Sequence, residues 1–146
     1  MSDIPVTDGL VDRAQHGQQA ARLAQGQTED GKSVKMHVAN ADDAFSQGMK
    51  EYRVEIDGNA ASVRVSEAGA VTSVGNQVGG RYGAVRGEVG VTAGNELAQV
   101  MQAAFADGRI TPQELKGIVA EASDVIAQPS LQARVSQTRG TPSAER

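Results

Sequence analysis

The sequence predicts an α+β fold: a small antiparallel β-meander, with a helix before it and an αα-hairpin after it. Three observations lead there. Residues 34–38, 52–56 and 61–65 alternate apolar and polar side chains, the period of a half-buried strand. Asp57-Gly58-Asn59 supplies a tight turn between two of these runs. From residue 95 onward the apolar residues recur at helical spacing in two blocks, separated by Asp107-Gly108.

In chain order, residues 8–25 are rich in glutamine and alanine. Leu10, Val11, Ala14, Ala21 and Leu23 stand where one or two helical segments would place them, and Gly17 interrupts the pattern. A narrow apolar face of this kind predicts a marginal helix that needs a packing partner. Residues 25–33 are polar, contain Gly26 and Gly31, and read as a loop.

The next elements are β. Val34, Met36 and Val38 share one face of a strand, which puts His37 on the polar phase. Residues 40–49 predict a short helix carrying Ala44, Phe45 and Met49 inward. Tyr52, Val54 and Ile56, then Ala61, Val63 and Val65, form the inward set of a hairpin; Arg53, Glu55, Ser62 and Arg64 point outward. Residues 70–74 add a further strand.

Residues 75–94 carry glycines at 75, 79, 83 and 87, a spacing of four, with more at 80, 90 and 94. In a helix this spacing makes a flat seam for close contact. Each interior glycine costs a helix ~1 kcal/mol relative to alanine. Valine and glycine together suit twisted strands or a loop. Strands or loop, a glycine-seamed helix and a ligand-cradling loop all stay open. Gly79-Gly80-Arg81-Tyr82-Gly83 matches neither the P-loop nor the dinucleotide fingerprint.

The helical hairpin spans 95–127. Leu97, Val100, Met101, Ala104 and Phe105 lie on one face of its first helix; Leu115, Ile118, Val119, Ala122, Val125 and Ile126 lie on one face of its second. Between them, glycine at 108 suits the positive φ of a tight turn. Thr111 is a good N-cap, Pro112 fits the first helical position, and Glu114 completes a capping box. Pro129 ends the run.

Residues 103–115, Ala-Ala-Phe-Ala-Asp-Gly-Arg-Ile-Thr-Pro-Gln-Glu-Leu, resemble a degenerate EF-hand, and are similar to the turn between helices in bacterial TerB-like domains. The EF-hand resemblance implies Asp107 and Glu114 as metal ligands. The loop positions that should supply two further oxygens are Ala103 and Phe105, which have none. Two carboxylates fall short of the roughly six to eight oxygens that calcium takes. The turn is therefore expected to be a scaffold corner without a metal, and no cofactor is expected elsewhere.

Composition bounds the function. The 146 residues suit one domain, 1–127, with a β-rich part over 34–91; the polar tail, 128–146, is expected to be disordered or to order on a partner. Aromatics are 3% (Phe45, Tyr52, Tyr82 and Phe105), so the core is thin and assembly would add stability. A formal charge of −4 disfavours a general nucleic-acid binder. The absence of cysteine excludes disulfides, zinc–thiolate sites and thiol catalysis. No run of about 18 apolar residues or secretory signal is present, which points to the cytoplasm of a bacterium or phage-infected cell, with signal-less export or a virion left open.

Catalytic chemistry finds little purchase. His16 and His37 lie in segments of different character, and Asp42-Asp43 suits a first helical turn, where the dipole favours negative charge. No nucleophile elbow or metal-binding histidine spacing occurs. The expectation is a non-catalytic protein that binds another protein or copies of itself, as a virion component or an inhibitor of a host system. Its expected contacts are Leu97, Val100, Met101, Phe105, Leu115, Ile118, Val119, Gly79, Gly83 and Gly87. The rival expectations are a calcium-binding module at Asp107 and Glu114, and a small enzyme whose site would bring a histidine to Asp42, Asp43 or Glu55.

Overall fold

A computed structural model describes residues 3–13, 17–40 and 48–129. Seven antiparallel strands follow one another across a single sheet: β2 (Thr7–Arg13), β3 (Gly17–Gln27), β4 (Ser33–Asn40), β5 (Lys50–Ile56), β6 (Asn59–Val65), β7 (Val71–Val78) and β8 (Arg81–Ala84). Two helices, α1 (Glu88–Ala106) and α2 (Pro112–Ala127), pack together on one face of it. A separate two-stranded sheet joins β1 (Ile4–Pro5) to β9 (Arg109–Ile110), beside the corner between the helices.

The meander follows from its turns. Asp57 and Gly58 both have positive φ, 52° and 91°, as a two-residue hairpin loop with the twist of the strands requires. Gly79 and Gly80 repeat this at the β7–β8 turn, with φ of 60° and 82°. Two longer turns share one plan. Thr28-Glu29-Asp30-Gly31-Lys32 and Ser66-Glu67-Ala68-Gly69-Ala70 each close with a positive-φ glycine and the same pair of backbone hydrogen bonds. In each, the first residue's hydroxyl accepts from the fifth residue's N–H, at 2.9 Å and 3.2 Å.

The hairpin alternation holds in phase, with one correction: Ser62, expected outward, lies on the opposite face but is itself buried, 4% exposed. Tyr52, Val54, Ile56, Ala61, Val63 and Val65 are all buried on the helix-bearing face. Their cross-strand partners on β4, Val34 and Met36, extend the same layer. Leu97, Met101, Ile118 and Val125 close it from above.

The N-terminal helix is a correction. Residues 7–13 and 17–27 form two paired strands, with Leu10 opposite Ala20 and Leu23 opposite Thr7. Alanine and glutamine are good helix formers, but propensity is overridden by tertiary context, here the pairing of β3 with strands on both sides. Alanine helps here: Ala24 lies opposite Met36 and is only 6% exposed. The sheet therefore begins at Thr7 rather than Val34. Much of the helix expected over 40–49, Ala44 and Phe45 included, lies outside the described residues, as do His16, Asp42, Asp43 and the tail from 130.

The glycine-rich stretch divides. Its first part forms β7 and β8; its second opens α1, seven residues earlier than the periodicity indicates. Gly90 and Gly94 face the sheet, where a Cβ would overlap Val85 Cγ1 and Val74 Cγ2 respectively. The helix tolerates these glycines because they let it lie directly on the strands.

Candidate functional site

The corner at Asp107-Gly108 is built by the chain itself. Gly108 has φ of 78°, and its carbonyl accepts a 2.9 Å hydrogen bond from Val6 N–H. Thr111 Oγ1 accepts from Glu114 N–H at 3.1 Å, and Glu114 Oε1 accepts from Thr111 N–H at 2.9 Å. The Glu114 carboxylate, one of the two candidate metal ligands, thus completes the capping box of α2. Asp107 is the exposed C-cap of α1. Among the described residues, no group of three or more histidine, aspartate or glutamate side chains is arranged to hold a metal ion.

Side chains from the sheet terminate both helices. Arg22 Nη1 on β3 donates to Phe105 O at 2.7 Å, near the end of α1. Asn76 Nδ2 on β7 donates to Val125 O, Ile126 O and Gln128 O at 3.0, 3.2 and 2.9 Å, at the end of α2. Neither helix has a basic residue in its own last turn, so these donors satisfy carbonyls the helices leave open.

The structure places the sequence-derived contact residues in two settings. Leu97, Met101, Phe105, Leu115 and Ile118 are 5% exposed or less and belong to the core. Val100 and Val119 are half-buried against it. The apolar faces of the two helices are thus used up by each other and by the sheet. Gly79 lies in the β7–β8 turn, Gly83 is buried in β8, and Gly87 is the N-cap of α1 with φ of 95°.

Two surfaces remain. The first is the sheet face opposite the helices. Cross-strand pairing aligns Thr7, Leu23, His37, Arg53 and Ser62 in one row, and Gln25, Lys35, Glu55, Ala60 and Gln77 in the next. Arg53 Nη2 donates to Gln77 Oε1 at 2.8 Å across this face. A groove of about 440 Å³ opens near the start of β2, lined by Leu23, Lys35, His37, Arg53 and Glu55 among others. His37 is half-buried there rather than fully exposed.

The second surface is the free edge formed by β8 and the start of α1. Five large apolar side chains stand exposed among the described residues: Leu10, Val78, Tyr82, Val89 and Val91. Four of them fall between residues 78 and 91. Tyr82, 54% exposed, lays its ring across Gly75, where a Cβ would sit 2.8 Å from Tyr82 Cζ. No sequence periodicity marks these residues. Their one signal is the company of valine and tyrosine with glycine in a segment too short to bury them.

No described helix is long and apolar enough to cross a membrane. Compared with protein-family models, with characterised proteins and with solved structures, the chain matches none.

Proposed function

We propose that this protein works without catalysis, by binding another protein or by assembling with copies of itself. The observation that carries the reading is that four of the five large apolar side chains left exposed among the described residues, Val78, Tyr82, Val89 and Val91, fall in one short segment at the β8 edge of the sheet and the start of α1. Single exposed apolar residues need no explanation; a run of them in one short edge segment makes that segment the candidate contact region. The core gives a second support: its only described aromatics are Tyr52 and Phe105, so burial of more surface on assembly would stabilise the fold. A virion component or an inhibitor of a host system is the setting that fits such a protein. The test joins mass measurement of the purified chain with affinity capture from its native lysate. A stable assembly or a specific protein partner is the expected result. A chain that stays single and retains nothing contradicts the reading.

A second reading rests on the groove beside β2. It brings His37 and Glu55 to one lining, with Lys35 and Arg53 beside them. A histidine near a carboxylate is a general acid–base pair when a substrate fits between them. Titration of the His37 ring by NMR, with and without inorganic phosphate, tests it. A shifted ring pKa with phosphate supports a binding groove; an unchanged titration removes the reading.

A further inference from the structure

We propose that β8 is the seam at which two copies of this chain join their sheets, antiparallel, with Gly83 of one copy opposite Gly83 of the other. This rests on the assembly reading and names its partner as a second copy.

The backbone argument comes first. The two-residue turn at Gly79-Gly80 closes on the pair Val78–Arg81. Val85 N–H donates to Val74 O at 2.9 Å, so Val85 also bonds toward β7. In an antiparallel ladder the bonding direction alternates along the strand. Arg81, Gly83 and Val85 therefore bond inward, while the N–H and C=O of Tyr82 and Ala84 point to the free edge. A twofold axis through Gly83 sets Tyr82 of each copy opposite Ala84 of the other. All four outward N–H groups and all four outward carbonyls then find partners. The central position becomes a non-hydrogen-bonded pair, about 4.5 Å between Cα atoms, as alternate positions of any antiparallel ladder are.

Charge selects the same edge. Arg81 shares the helix-bearing face with Val78, its partner, and with Val85, which packs against Gly90 of α1. In this register Arg81 of each copy lies beside Val85 of the other, next to the exposed first turn of α1 and its Glu88. Opposite charges thus meet twice across the seam. The other sheet edge does the reverse. Self-pairing of β2 about Leu10 sets Asp8 against Asp12; centring it on Gly9 or Val11 sets an aspartate against Leu10. Like charges directly opposite destabilise a strand pair, and charged edges resist such pairing. One edge of the sheet is guarded and the other is open.

The test uses the full chain in a light-scattering mass measurement over a concentration series. The expected mass at high concentration is twice the 15.1 kDa of one chain. Two double variants follow: Tyr82→Lys with Ala84→Lys, and Tyr82→Glu with Ala84→Glu. Each places like charges opposite one another and raises the dissociation constant at least tenfold; an equal mixture of the two restores the dimer. A wild-type chain that stays single at every concentration overturns the proposal. So does a pair of variants that both remain dimeric, an outcome that leaves the assembly reading standing on another surface. Variants that dissociate alone but fail to recover when mixed also overturn it, because their effect then lies in the fold rather than the seam.

Discussion

Asn76 Nδ2, on β7 beside the edge strand, lies 3.0 Å from the carbonyl oxygen of Val125, in the last turn of α2, and 2.9 Å from that of Gln128. The asparagine is 3% exposed, so its amide has left water for these carbonyls. Asn76→Ala leaves Val125 O with only the Gln128 N–H and takes the Asn76 donor from partly buried Gln128 O, and should cost about 1–3 kcal/mol. Asn76→Asp should cost more, because a carboxylate there cannot donate and faces the negative end of the helix. Urea unfolding of the variants measures both.

The glycines of the two helices should respond oppositely to one substitution. Gly94→Ala drives a methyl into Val74 and should destabilise, with overpacking of about 1–3 kcal/mol set against a helix-propensity gain of ~1 kcal/mol. Gly117, in α2, has nothing within 4 Å of an added Cβ. Gly117→Ala should stabilise by ~0.4–1 kcal/mol. Thermal midpoints of the pair decide it.

The capping box commits the Glu114 carboxylate to Thr111 N–H, so the account expects the turn at 107–108 to hold without metal. Thr111→Ala should cost ~1 kcal/mol with or without calcium. Millimolar calcium should leave the thermal midpoint of the wild type unchanged; a rise would restore the metal reading of Asp107 and Glu114.

Glu121 gives a pH dependence. Burial first, and then the charge of Glu96, with its hydrogen bond, and of Asp124, push its carboxyl above the ordinary value. A carboxyl whose pKa is raised on folding binds its proton more tightly in the native state. Its contribution therefore favours folding on the acid side and is lost as pH rises from the unfolded-state value through the raised folded one. The carboxyl is only partly buried, and solvent screening keeps the effect small. Glu121→Gln should raise the midpoint slightly at neutral pH and flatten that part of the stability profile.

The legible parts of this fold were those fixed by local chemistry. The Asp57-Gly58 turn, the alternation through Tyr52–Val65 and the Thr111–Glu114 cap each follow from residues that act on near neighbours. The first two sheet strands were not legible, because Ala21, Ala24 and the glutamines of β3 become strand only through partners such as Ala39 and Met36, well along the chain. The helical faces were read correctly as apolar but assigned outward. Gly90 and Gly94 let α1 settle on Val85 and Val74, and the sheet absorbed the faces. The surface left over, around Tyr82, emerges only once the sheet order shows β8 at its end.

Amide hydrogen exchange at Tyr82 and Ala84 tests the account most directly. Among the described residues their N–H groups have no partner strand, so protection that depends on concentration reports the seam. The account predicts protection that grows with protein concentration, to the level of inward-bonded Val85. Fast exchange at both amides at every concentration would contradict it.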